Sequence, residues 1–138
     1  MAQSIKLGND TYLDASGVVK GQTPLSTILS NRSITITKAS AINSMECVMQ
    51  RYGNVVAGYL VLVVGSTALD GTDILATGFP APAPSASRWQ GMALCFEGST
   101  PHTVRIAIQS NGTLQLWYGG GTAAGSIIII QVAYIAVE

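Results

Sequence analysis

Ser126–Val137 reads Ser-Ile-Ile-Ile-Ile-Gln-Val-Ala-Tyr-Ile-Ala-Val, and the fold is decided there. The stretch is rich in β-branched residues. It is well short of the roughly 18 apolar residues that a membrane-crossing helix needs, so it reads as a buried strand. A strand turns alternate side chains to opposite faces. Its even positions are Ile128, Ile130, Val132, Tyr134 and Ala136, and its odd positions are Ile127, Ile129, Gln131, Ala133, Ile135 and Val137. Both faces are apolar. In a two-layer sandwich one face of every strand looks outward, and an outward face this apolar is a liability for a monomer. The strand needs a second cover, and the sequence holds no second helix-rich segment to supply it. Other copies of the chain are the expected cover, with the terminal strands near a symmetry axis.

Upstream, the chain reads as one strand after another. Val104, Ile106 and Ile108 alternate, then Leu114 and Leu116 alternate after Asn111-Gly112. A two-residue loop would put the two apolar sets on opposite faces, which register forbids. A three-residue loop, Ser110-Asn111-Gly112, pairs Ile108 with Leu114 and Ile106 with Leu116, with Gly112 left-handed at a bulge. Met45–Tyr52 and Val55–Val64 flank Gly53-Asn54, a two-residue hairpin signal that pairs Tyr52 with Val55 and Cys47 with Leu60. Met45, Cys47 and Met49 then share a face with Leu60 and Leu62 as sandwich core. The opposite face, with Glu46, Val48, Gln50, Tyr52, Tyr59 and Val61, is only half polar. Met92, Leu94 and Phe96 alternate in a further strand, and Ile34–Thr37 alternates as well. Asp70–Asp73 is a turn, and Phe79–Ser85 is a proline-spaced loop.

The first third differs. Thr23 caps, and Pro24 opens, a short helix whose Leu25, Ile28 and Leu29 share a face. Two turns are marginal alone, so this helix must pack on its own domain or on other copies. The division is a connecting segment over 1–33 and a β-sandwich head over 34–138.

Composition narrows the function. Hydrophobic residues make up 48% and charged residues 10% of the 138, with seven basic and seven acidic side chains. The mean hydropathy of +0.38 argues against disorder. No lysine–arginine cluster offers the convergent charge that nucleic acid requires. Residues 1–10 hold no apolar core of a signal peptide, and no run is long enough for membrane insertion. Asn9, Asn31 and Asn111 begin glycosylation sequons that matter only in a secretory pathway. Cys47 and Cys95 read as two buried hydrophobes or as a single bridge.

The chemical inventory is poor. His102 is the one histidine and sits in a loop without a nucleophile beside it. No two carboxylates form a suggestive pair on one strand face. Asp70 and Asp73 suit a turn, or two of the six or more oxygens of a calcium site. Gly119-Gly120-Gly121-Thr122 lacks the lysine and helix of a phosphate loop. No enzyme, metal or cofactor is expected. The aromatics carry more: Trp89 follows Arg88 after the proline loop, and Trp117-Tyr118 leads into the glycine run. Such rings grip ligands or fill the sandwich rim. Candidate ligand groups are Arg88, Trp89, His102 and Tyr118, and candidate oligomer contacts are Leu25, Ile28, Tyr59, Ile129 and Tyr134.

Three stretches carry a family resemblance: residues 6–29, KLGNDTYLDASGVVKGQTPLSTIL; residues 51–64 with 74–85, RYGNVVAGYLVLVV and ILATGFPAPAPS; and residues 102–120 with 126–138, HTVRIAIQSNGTLQLWYGG and SIIIIQVAYIAVE. Together the chain resembles the trimeric head domains of phage tail-fibre and receptor-binding proteins, with a tumour-necrosis-factor-like jelly roll. The resemblance implies a homotrimer, attachment to a host-surface saccharide or protein, contacts with other virion proteins, and a place on the virion tail or surface after assembly in the bacterial cytoplasm. It carries over no catalytic residue. The chain departs from long tail fibres in having no repetitive shaft. The alternative is a purely structural virion component, for head decoration or tail assembly, without an external ligand.

Overall fold

The structure, a computed structural model, describes residues 5–7, 10–13, 31–84, 87–118 and 121–137. The expected helix over residues 23–29, with Leu25 and Ile28, lies outside them. Among the described residues there is no helix and there are eleven strands: β1 (Ile5–Leu7), β2 (Asp10–Leu13), β3 (Asn31–Ser33), β4 (Thr37–Lys38), β5 (Ile42–Tyr52), β6 (Val55–Val64), β7 (Ile74–Thr77), β8 (Trp89–Glu97), β9 (Thr100–Ile108), β10 (Leu114–Leu116) and β11 (Ile127–Ile135). β1 and β2 pair with each other. The remaining nine form one antiparallel sheet in the order β3-β5-β6-β11-β8-β9-β10-β7-β4.

Connectivity forces this sheet to curl. Laid flat, nine strands would set its two edges roughly 38 Å apart. Yet β3 is one edge and β4 the other, and residues 34–36 alone join them, a reach of at most about 14 Å. The result is a half-barrel whose halves, β3-β5-β6-β11 and β8-β9-β10-β7-β4, face each other over one core, as in a sandwich. The halves meet at β11, which pairs with β6 on one edge and with β8 on the other. That junction is short: β11 pairs with β6 along its whole length but with β8 only at Ile127–Phe96, Ile128–Cys95 and Ile129–Leu94.

The hairpin registers follow the turn chemistry. Ile108 pairs with Leu114 and Ile106 with Leu116. Gly112, at φ +81°, takes the left-handed position between them, where an L side chain is strained. Tyr52 pairs with Val55 and Cys47 with Leu60 across Gly53-Asn54. Both hairpins thus bring their large apolar side chains to the same face. In β11, Ile128, Ile130, Val132 and Tyr134 point inward and are buried with Leu60, Leu62, Ile106, Ile108, Leu114 and Leu116. In β8 the inward set is Trp89, Gly91, Ala93 and Cys95, whereas Met92 and Leu94 face solvent.

The outward face of β5, β6 and β11 is apolar. It carries Val48, Tyr52, Val55, Tyr59, Ile127 and Ile135, all exposed. The patch continues across the junction through Leu94. Tyr59 lies there, and its hydroxyl donates to Glu46 Oε1 at 3.0 Å. The hydrogen bond to Glu46, then the carboxylate's charge, then burial push the Tyr59 phenol above its ordinary pKa. Ile129 also faces outward, half-buried. Tyr134 does not. It is 8% exposed, on the inner face, and its hydroxyl donates to the Pro80 carbonyl at 2.6 Å. As an oligomer contact it is corrected to a core residue, because strand alternation gives it the parity of Ile130.

Candidate functional site

Arg88, Trp117 and Tyr118 come together on the outer face of the second half. Each is delivered by local backbone geometry. Trp117 follows β10 and its N–H donates to the Arg105 carbonyl at 2.8 Å, which lays the indole along β9. Arg88, just ahead of β8, reaches over it with its guanidinium carbon 4.1 Å from the ring centroid. Such a stack is worth about 0.5–1 kcal/mol at an exposed site. Tyr118 meets Trp117 edge to face at 4.6 Å between centroids, with planes at 81°. Its backbone has φ +30°, the one positive value among described non-glycine residues. A bulky side chain held there costs about 1–3 kcal/mol. That strain presents a ring 65% exposed to solvent.

Two shallow grooves flank the stack. One, of about 260 Å³, is lined by Gln90, Gly91, Met92, Arg105, Ile106 and Trp117. The other, of about 380 Å³, is lined by Ser87, Arg88, Gln90, Gln109 and Ser110. No carboxylate lines either one. The surface therefore offers flat apolar rings, two guanidinium groups, amides and hydroxyls. It can hold a polar ligand with an apolar face or an anionic group, but it presents no nucleophile with a base beside it.

The other two candidate ligand groups lie elsewhere. Trp89 points inward, with its ring centroid 6.1 Å from that of Tyr134. It folds across Gly91, where even a Cβ would come within 2.5 Å of the indole. His102 is not in a loop but inside β9, opposite Cys95, with Nε2 3.8 Å from Glu97 Oε1. That same carboxylate oxygen accepts the Ala123 N–H at 2.9 Å, so the histidine belongs to the far end of the molecule. Arg105 and Met92 complete the platform. Their signal was strand parity: Arg105 interrupts the apolar run from Val104 to Ile108, so it must face outward.

A larger polar cleft of about 580 Å³, lined by residues that include Lys38, Ser40, Asn43, Ser66, Thr67 and Asp73, sits at the other end. Its charged groups are engaged within the fold. Lys38 Nζ donates to the Ile42 carbonyl at 2.8 Å, and Asp73 Oδ2 accepts the Asp70 N–H at 2.9 Å. The Asp73 N–H in turn donates to the Asp70 carbonyl, so these two acids close their turn. Cys47 and Cys95 are free thiols, each pushed above its ordinary pKa, mainly by burial. No helix among the described residues is long and apolar enough to cross a membrane.

No protein-family model matches the chain. No curated protein matches it either. Among solved structures it is similar to the head domain of phage bIL170, described with the receptor-binding domains of lactococcal phages. That likeness has a TM-score of 0.51 at 13% identity and covers 76% of this chain and 100% of the other. The chain shares the all-β, antiparallel fold of a phage receptor-binding head.

Proposed function

We propose that this chain is a non-enzymatic phage or prophage head module, tumour-necrosis-factor-like and homotrimeric, that attaches a virion tail or surface to a host saccharide or protein. The observation that carries this reading is the exposed stack of Arg88, Trp117 and Tyr118 on a stiff β face. A strained, solvent-facing aromatic of this kind does not help the fold, and its cost is offset where a ligand uses the ring. The likeness to a phage receptor-binding head supports the same assignment. Three copies of a weak site on one rigid body gain avidity without new contacts. The apolar outer face of β5, β6 and β11 is the surface that copies would share. A purely structural virion role would use that face equally, but leaves the strained Tyr118 without a purpose.

The test is adsorption of the purified assembly to host cells and to a glycan array. Trp117→Ala should cut binding at least roughly tenfold, the effect of losing one well-packed aromatic anchor, with thermal stability nearly unchanged. Equal binding by the variant and the wild type would overturn the assignment of the site. No binding by the wild type would favour the structural role.

A further inference from the structure

We propose that the platform of Arg88, Trp117 and Tyr118 takes a short linear run of acidic sugars, each ring bringing its own carboxylate. This rests on the platform being the ligand site and names the class of its ligand. The order of groups along β9 carries the proposal. Arg105, Ala107 and Gln109 share the outward parity. Arg105 lines the smaller groove and Gln109 the larger. Ala107 lies between them, in register with Gln90 on one side and Gln115 on the other. It is outward by parity yet fully buried. A covered ridge on β9 thus divides the two grooves, and Gln90 lines both. Arg105 and Gln109 are four positions apart, about 13 Å at the rise of a strand. One pyranose ring does not span that distance, whereas a run of two or three does.

Charge divides in the same way. Arg105 lines the smaller groove and Arg88 the larger, and no acid lines either. These are two of the seven basic residues of a chain whose formal charge is zero. A protein without net charge has little long-range pull on an anion. The attraction is local, and it asks for an acid group inside each groove. The indole of Trp117 holds the Arg88 guanidinium carbon 4.1 Å from its ring centroid. A guanidinium laid on an aromatic ring is restrained before a ligand arrives, and its planar fork of donors matches a carboxylate with two parallel hydrogen bonds.

The remaining groups suit a sugar. Ser87, Ser110, Gln90 and Gln109 both donate to and accept from hydroxyls. Trp117, Tyr118 and Met92 give the C–H face of a ring an apolar wall. All of these are side chains on the face of interior strands, since β8 and β9 each have a neighbour on both sides. An extended peptide docks by its backbone along a sheet edge, and the platform has no such edge. The placement of charge also separates two kinds of acidic chain. In a uronate chain every ring carries a carboxylate, so one charge enters each groove with its sugar. In a phosphate-linked chain the charge lies between the rings, over the ridge at Ala107.

The experiment is calorimetric titration of the full chain with trigalacturonate and trimannuronate. The comparison ligands are their monomers, the neutral galactotriose and mannotriose, a glycerol phosphate oligomer and an N-acetylated triglutamate amide. At least one triuronate should bind at least roughly tenfold more tightly than its monomer and its neutral counterpart. The margin should narrow as salt rises. Arg105→Gln should weaken that triuronate roughly tenfold, whereas Arg32→Gln, which removes the same charge from β3, should not. The proposal is overturned if neither triuronate binds, if a comparison ligand binds as tightly, or if Arg105→Gln binds like the wild type. Trp117→Ala tells its failure from that of the platform. A neutral trisaccharide that matches the triuronate but weakens in Trp117→Ala removes the acid and keeps the platform. A triuronate that binds Trp117→Ala undiminished removes both.

Discussion

Tyr134 carries a hydroxyl into a face that is otherwise hydrocarbon, and the consequences are measurable. Its phenol is pushed far above the ordinary value by burial, with Arg51's charge pulling back less strongly. A folded-state pKa above the unfolded one, near 10, means stability that is intact below about pH 10 and lost as pH rises toward the folded value. Tyr134→Phe should cost about 1 kcal/mol at pH 7, from the lost hydrogen bond to Pro80, and should lose less than the wild type between pH 9 and 11. Cys47 and Cys95 act in the same direction, so urea melts of the two proteins should be compared at each pH. Parallel curves would remove Tyr134 as the titrating group. Residue roles were legible where parity alone settles them, as for Ile130 or Leu60. Trp89 and Trp117 look alike in sequence, each following or preceding a polar loop. Only packing separates them, because Gly91 leaves a space that one indole fills and β9 offers a surface on which the other lies.

At the scale of an element, β11 has two apolar faces with different duties. Ile130 is inward and fully buried, whereas Ile129 is outward between Val61 and Leu94. Ile130→Asp places a carboxylate in the core without a partner and should cost several kcal/mol, enough to unfold a domain of ordinary stability. Ile129→Asp should leave a folded chain that no longer assembles. Circular dichroism with light scattering distinguishes the two. A folded, assembled pair of variants would show that the strand has been assigned the wrong faces. Hairpin registers were readable in advance because loop length and side-chain parity must agree. The orientation of β8 was not readable: its alternation marks a strand, but which set goes inside is settled by contacts outside the strand.

At the scale of the molecule, the outward positions of β5, β6 and β11 number fifteen, five on each, and Glu46 is the one charge among them. Burying that carboxylate between copies opposes assembly unless it is fully hydrogen-bonded, and Tyr59 is its one described hydrogen-bond donor. Glu46→Gln keeps the shape and removes the charge. It should shift the assembly midpoint to at least roughly threefold lower concentration, seen by light scattering coupled to size exclusion. Weaker assembly in the variant would mean that Glu46 meets a cation across the interface, and a wild-type monomer at high concentration would dismiss the shared face altogether.

By itself the sequence determined the strands, their hairpin registers and the surplus of apolar surface, because parity, turn chemistry and composition are local properties. Only the tertiary structure decided how the sheet closes, which tryptophan faces solvent, and that β8 pairs with β11 only over Ile127–Ile129. Those outcomes depend on contacts between residues far apart in the chain. Residues 34–36 must reach from one sheet edge to the other, and Trp89 and Tyr134 must share one volume. No local pattern records either demand.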